Sequence, residues 1–204
     1  RTTSDMPITV SLPDGSALSL PEGATGREAA AAAGAAEAVV VRVDGELRDL
    51  SAPLPEGAAV ELIAAGSDEG RHILRHSAAH VMAQAVLGLF PGAQYAIGPA
   101  IEDGFYYDFD IGRAFTPEDL AAIEARMADI VTADQPFERE VVGKEEALRV
   151  FADQPFKREI IESVDESEMA EGLRVSLYRN AGFVDLCRGP HLPSTGRLAA
   201  YRLL

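Results

Sequence analysis

The chain has 204 residues, 47% hydrophobic and 25% charged, a length that fits one large domain or two small ones and a composition that excludes wholesale disorder. The 18 basic and 33 acidic residues give a formal net charge of −15, which argues against non-specific nucleic-acid binding but leaves room for an RNA held mainly by another part of a larger protein. No stretch approaches the roughly 20 apolar residues of a membrane span. Arg1 to Asp5 lack the apolar follow-on of a secretory signal. The single cysteine, Cys187, has no intrachain partner for a disulfide, which suits a reducing, cytoplasmic setting.

Residues 7–63 read as short strands around one helix. Ile8, Val10 and Leu12 alternate with polar residues, Pro13-Asp14-Gly15-Ser16 supplies a turn, and Leu18 and Leu20 resume the alternation, so a β-hairpin is expected. Thr25 with Glu28 three residues on makes a capping-box start for a helix through the alanine tract, ended or weakened at Gly34. Val39–Val43, the turn Asp44-Gly45 and Ala59–Ile63 complete a ββαββ order, that of a small ubiquitin-like β-grasp sheet. Gly and acidic residues over 64–70 mark a linker. The expected organisation is therefore α+β, with a β-grasp domain at 1–64 and a second domain at 65–204.

The second block opens with a helix over about Arg71–Phe90, stopped by Pro91-Gly92, with Leu74, Ala78, Val81 and Ala85 on one stripe and His72, His76 and His80 on the opposite face. A further helix starts at the N-cap Thr116, with Pro117 first, Glu118 and Asp119 in its first turn, and Leu120, Ile123, Met127 and Ile130 at core spacing. Lys144–Phe151 reads as a shorter helix. The tail from Leu173 to Leu204 reads as strands separated by Asn180-Ala-Gly182 and Arg188-Gly-Pro190, ending in the strand-like Ala200–Leu204.

Two groups of residues point to chemistry. His76-Ser-Ala-Ala-His80 puts two imidazoles one helical turn apart, able to reach one metal ion, one water or one phosphate. Asp185-Leu-Cys187-Arg-Gly-Pro-His191 places the cysteine and the fourth histidine around a Gly-Pro turn. Three nitrogens and one sulfur form a plausible tetrahedral zinc set, and the same groups can instead hold a substrate and a water. The plainer alternative is imidazoles on a partly exposed helix and a buried cysteine beside a surface histidine.

Taken in order, Arg75-His-Ser-Ala-Ala-His80, Ala96-Ile-Gly-Pro99, Gly104-Phe-Tyr-Tyr-Asp108 and Asp185-Leu-Cys-Arg-Gly-Pro-His191 resemble the amino-terminal half of bacterial threonyl-tRNA synthetases. The resemblance covers nearly the whole chain: residues 7–63 are similar to the β-grasp TGS module, and the rest to the editing domain shared with alanyl-tRNA synthetases and freestanding editing proteins. It implies an α+β editing domain with a long helix on an antiparallel sheet, and hydrolysis of seryl-tRNA mischarged on threonine tRNA. It places His76, His80, Cys187 and His191 in the editing pocket, with Lys157 and Asp185 as the family's lysine and acid and Tyr107 as the aromatic beside the terminal adenosine. On that basis His76, Lys157 and His80 are expected to be catalytic. Cys187 and His191 are expected to shape the amino-acid pocket, and Asp185 to hold the amino group or ribose.

The threonyl type implies no required cofactor, whereas the alanyl type implies zinc at His76, His80, Cys187 and His191. The β-grasp domain ahead of the histidine helix favours the threonyl type. Implied partners are the aminoacylated end of threonine tRNA and the remainder of a synthetase chain, with no membrane and with homodimerisation only through the catalytic domain. The chain has no room for a class II catalytic core, so amino-acid activation is expected to lie elsewhere, in a larger polypeptide of which this is a fragment. His72 is an extra imidazole without an implied role. The alternatives are a zinc-dependent alanyl-type hydrolase and a non-catalytic module that binds RNA or protein.

Overall fold

In a computed structural model, residues 6–164 and 174–204 are described. The amino-terminal five residues and Leu173, where the tail was expected to begin, lie outside them. By contacts the described residues divide into two compact units, one running to Leu74 and taking in Gly189–Pro193, the other holding Arg75–Arg188 and Ser194–Leu204.

The first unit begins with the expected hairpin, β1 (Ile8–Ser11) against β2 (Ala17–Leu20), with Ile8 opposite Leu20 and Val10 opposite Leu18. Helix α1 (Gly26–Ala32) starts at the Thr25–Glu28 capping box and buries Ala29 and Ala30. Strand β3 (Ala38–Val43) is central. It pairs antiparallel with β5 (Val60–Ala64) on one side and with β4 (Glu46–Asp49) on the other. A parallel bridge between Ser11 and Ala59 sets β1 beside β5, which completes the β-grasp sheet.

Strand β4 was not expected from the sequence, and the order is ββαβββ rather than ββαββ. Its Glu-Leu-Arg-Asp run carries little apolar signal. The strand exists because Asp44 and Gly45, at φ 49° and 91°, form a tight reversal directly after β3. Asp49, at the end of β4, is buried, and its Oδ1 accepts the main-chain N–H of His191 at 2.8 Å within this unit.

Helix α2 runs Asp68–Leu89, three residues earlier than expected, because Ser67 Oγ accepts the Gly70 N–H and starts the helix. The two-faced reading of this helix needs correction. Ser77 through Val81 are all buried, so at His80 the histidine face is packed as well as the Val81 face, while His76 is half-buried and His72 exposed.

In the second unit, β6 (Gln94–Tyr95) pairs with β9 (Phe109–Asp110), and between them β7 (Ala100–Ile101) pairs with β8 (Gly104–Phe105). Helix α3 (Pro117–Thr132) has the expected Thr116 cap, with reciprocal Thr116–Asp119 bonds, and buries Ile123, Met127 and Ile130. Strand β10 (Glu138–Gly143) leads into α4 (Lys144–Val150) and then α5 (Pro155–Ser163). Strands β11 (Arg174–Asn180) and β12 (Phe183–Leu186) join β10 in an antiparallel sheet of order β10-β11-β12. Ala79 and Ala83 of α2 pack with Val142, Leu177 and Phe183 of this sheet, the expected long helix on an antiparallel sheet.

Beyond β12 the tail forms no further strand, contrary to the expectation for 200–204. A 3-10 turn at Thr195–Arg197 is held instead, with Thr195 Oγ1 donating to the Ile130 carbonyl and accepting from Gln135 N–H. Neither α5 nor β10 was foreseen, because their apolar residues are too sparse to show a period.

Gly26 leaves no room for a side chain. A Cβ there would lie 2.8 Å from Val41 Cγ1 and 3.3 Å from the Leu50 main chain. Gly26→Ala is expected to lower stability by about 1–3 kcal/mol through overpacking, read as a lower urea midpoint at unchanged slope.

Candidate active site

The site grows from side chains that β-sheet and helix geometry aim at one point in the second unit. Strand β12 alternates, so Phe183 and Asp185 face inward together. Asp185 is 1% exposed. Its Oδ1 lies 2.6 Å from Lys157 Nζ, and its Oδ2 accepts the Tyr107 hydroxyl at 2.7 Å. Lys157 also donates to the Tyr107 oxygen at 2.9 Å, so ammonium, phenol and carboxylate close a triangle. Lys157 is itself 2% exposed and sits on α5, which excludes a solvated surface lysine. Burial raises the Asp185 carboxyl, while the adjacent ammonium and phenol hydrogen bonds act in the opposite sense. Burial and the neighbouring carboxylate also raise the Tyr107 hydroxyl, which therefore stays a proton donor.

Tyr107 is fixed from both faces. Its ring stacks on Phe109 at 4.9 Å, and on another side it meets Gly98, where a Cβ would fall inside the ring's van der Waals envelope. The Ala96-Ile-Gly-Pro99 segment thus has a physical reason for its glycine: the tyrosine occupies the side-chain position.

Helix α2 supplies two imidazoles. His80, 3% exposed, has Nδ1 at 3.4 Å from Asp185 Oδ2 and packs edge-on to Phe183. Burial, with the Lys157 charge nearby, pushes its pKa down to about 3, so it is a neutral imidazole at pH 7. His76 is half-buried one turn earlier, its ring 5.0 Å from that of His80 and its Nε2 3.0 Å from Cys187 Sγ. Cys187 is held by main-chain bonds, its N–H to the Ser176 carbonyl and its carbonyl accepting Ser176 Oγ.

Within the second unit the donor atoms of His76, His80 and Cys187 all lie within 4.8 Å of one another, a group that can contribute to holding a metal ion. Two imidazole nitrogens and one thiol sulfur are donor types that zinc accepts. In the second unit the structure therefore brings His76, His80 and Cys187 together and joins Lys157, Asp185 and Tyr107 around His80, while His191 is buried in the first unit with its N–H bonded to Asp49. His72 is exposed on α2. Sequence reasoning missed Tyr95, 3% exposed, whose ring lies 4.9 Å from Lys157 Nζ. Its only signal was an aromatic just after Pro91-Gly92.

Comparison with known proteins finds relatives for both parts of the chain. The TGS domain family matches residues 8–64, and the family described as the threonyl and alanyl tRNA synthetase second additional domain matches residues 175–204. The chain is 48% identical over 200 residues to a threonine–tRNA ligase of Pelobacter propionicus, covering 97% of this chain and 31% of that protein. It is 46% identical over 198 residues to one of Rubrobacter xylanophilus, covering 96% and 30%, and 48% identical over 204 residues to one of Acidithiobacillus ferrooxidans, covering 95% and 30%. Over nearly its whole length the chain is similar to threonine–tRNA ligases. It spans about a third of the length of these curated relatives, and its TGS and second additional domains correspond to the amino-terminal portion of such a ligase.

Two predictions follow from the charges in this site. Lys157→Met leaves Asp185 buried without its cation and is expected to cost about 3–5 kcal/mol in urea denaturation. The double variant Lys157→Met/Asp185→Leu recovers much of that loss, because the uncompensated charge is gone. For His80, the folded pKa of about 3 lies below the ordinary 6.5, so on acidification the unfolded chain takes up the proton first. Its contribution is complete above about pH 6.5 and is lost as pH falls toward 3, at up to about 1.4 kcal/mol per pH unit. Stability curves of wild type and His80→Gln should therefore diverge in slope below pH 6.5, and parallel curves would refute a buried neutral imidazole.

Proposed function

We propose that this chain carries the editing site of a threonine–tRNA ligase and hydrolyses the ester of seryl-tRNA formed on threonine tRNA, while ligation itself resides in other parts of the enzyme. What supports the reading is the convergence of His76, His80 and Cys187 beside the Lys157–Asp185 pair in a chain similar to threonine–tRNA ligases along nearly its whole length. The chemistry has a clear need. Serine lacks only the methyl of threonine, and a group of that size is worth about 1–3 kcal/mol in a binding pocket, so a second, hydrolytic selection is required.

In this reading His76, the half-buried imidazole of the pair, takes a proton from the attacking water. The water oxygen adds to the ester carbonyl carbon, the carbonyl electrons move to oxygen, and the tetrahedral species collapses with cleavage of the bond to the ribose oxygen. The proton held by His76 passes to that oxygen, giving free serine and tRNA. His80, neutral and packed beside Asp185, orients the water or ester without adding charge. Lys157 provides the positive field for the developing oxyanion, with Asp185 and Tyr107 fixing its position. Cys187 bounds the side-chain pocket, to which the family resemblance also assigns His191. Asp185 and Tyr107 mark the side on which the amino group and the terminal adenosine of the substrate are recognised.

We place this hydrolysis outside metal chemistry. His76 Nε2 and Cys187 Sγ are 3.0 Å apart, a direct imidazole–thiol hydrogen bond, and Lys157 already supplies a positive charge to the site. The donor set nonetheless fits zinc. His76, His80 and Cys187, with His191 as the family resemblance assigns it, would then hold it, and it would supply Lewis acidity and an acidified water. The partners are threonine tRNA through its aminoacylated end and the rest of the synthetase, with dimerisation through that remainder. The −15 charge leaves the fragment's own tRNA affinity weak and salt-sensitive.

Deacylation of seryl- and threonyl-esters on threonine tRNA tests the reading, with zinc measured on the same preparation. Serine release that spares threonine is expected, falling 100-fold or more in His76→Ala with the fold intact. Deacylation unchanged in that variant favours a binding module. About one zinc per chain, with activity lost on chelation, favours the alanyl-type hydrolase.

A further inference from the structure

The mechanism above uses Lys157 but leaves open what holds a flexible four-carbon side chain in one position inside the protein. Asp185 and Tyr107 bind its head. The rest of the setting is supplied by two residues with no role in the reaction as derived, Tyr95 and Gln154.

Lys157 Nζ lies over the Tyr95 ring, 4.9 Å from its centroid, closer than the 5.4 Å to the Tyr107 ring. The two tyrosines act differently. Tyr107 meets Lys157 through its oxygen. Tyr95 has its hydroxyl committed elsewhere, donating to the Val184 carbonyl at 2.6 Å, so it presents a ring face to the ammonium. Val184 immediately precedes Asp185 in β12. Tyr95 therefore touches both halves of the ion pair, the cation through its π face and the anion's strand through its hydroxyl.

The main chain of Tyr95 is tied in turn to the helix that carries Lys157. Gln154, the residue before Pro155 at the start of α5, accepts the Tyr95 N–H at 3.2 Å and donates its amide to the Ala93 carbonyl at 3.2 Å. This two-point clamp fixes β6 against the first turn of α5, three residues before Lys157. The ring is buried against Phe183 and Phe151 and has no freedom to swing away.

We infer that Tyr95 is a positioning residue for Lys157: its ring holds the ammonium on Asp185, and the Gln154 clamp keeps that ring in register with α5. The inference rests on the editing reading for its catalytic consequence, but its structural half is independent of it. A desolvated cation–π contact of this kind is commonly worth enough to shift a rate by about 10- to 30-fold.

The test uses the 204-residue chain and two readouts: deacylation of seryl-tRNA, and acetylation of Lys157 by a water-soluble amine-reactive ester, followed by mass spectrometry. Tyr95→Leu is expected to lower kcat about 10- to 30-fold with KM little changed and to raise Lys157 acetylation. Tyr95→Phe, which keeps the ring face, is expected to restore most of both, and Gln154→Ala to move both part of the way. If Tyr95→Leu does not fold, Tyr95→Met, closer in volume but without a π face, takes its place. The inference is overturned if Lys157 acetylation is the same in wild type and in the folded leucine or methionine variant, or if phenylalanine restores no more than leucine does. Absence of deacylation by the wild type would count against the editing reading alone, because the acetylation pattern still reports on the positioning.

Discussion

The second unit is organised around one expensive object, a lysine–aspartate pair removed from water. Transferring two charges into a protein interior costs several kcal/mol each, and their mutual attraction compensates only when the geometry is close and the remaining polar atoms are bonded. Those conditions are met between Lys157 Nζ and Asp185 at 2.6 Å, with the Tyr107 hydroxyl bridging both partners. Meeting them fixes where α5, β12 and the segment before β9 must lie. The aromatic cluster of Tyr95, Tyr107, Phe109 and Phe183 then forms the low-dielectric wall that makes the pair both costly and strong. An apolar triplet of the same volume would fill this space with less risk. A buried cation beside imidazoles makes sense when its field has a use.

Helix α2 meets the same constraint from the other side. Its contact face is built from alanines, Ala79 and Ala83, small enough for the helix to approach the aromatic cluster closely. That approach is what removes His80 from water and holds it neutral, while His76, one turn nearer the helix start, keeps partial access. Two residues of one type, four apart on one helix, thus receive different properties from depth alone. The deeper is a fixed dipole beside a carboxylate and the shallower is an imidazole with partial access to solvent.

How much of this was legible in the sequence depended on whether local rules and tertiary packing agreed. The first hairpin, the Thr25 and Thr116 capping boxes and the core stripe of α3 were readable because turn chemistry, capping and periodicity point the same way. The donors on α2 and around Cys187 were readable from their spacing. Strand β4 was not, since it is specified by the reversal at Asp44-Gly45 rather than by its own residues. Helix α5 was not, because its buried face consists of Lys157 and Ile161, and lysine counts as polar in any hydrophobic pattern. The burial of His80 was hidden for a related reason: alanine carries too little hydrophobic signal to mark a contact surface.

The same blindness explains why Tyr95 and Gln154 escaped notice. Neither lies in a motif, and each acts on a residue, Lys157, whose own burial the sequence conceals. A catalytic side chain that is rare in type and position can be recognised from a pattern, but the groups that hold it in place need only supply a ring face or an amide, which many residues do. Their identity is settled by geometry: the Gln154 amide reaches two main-chain atoms flanking Gln94 at 3.2 Å each, and the Tyr95 hydroxyl reaches the carbonyl next to Asp185. The chemistry of this site is thus written locally, while its precision is distributed over β6, β12 and the first turn of α5.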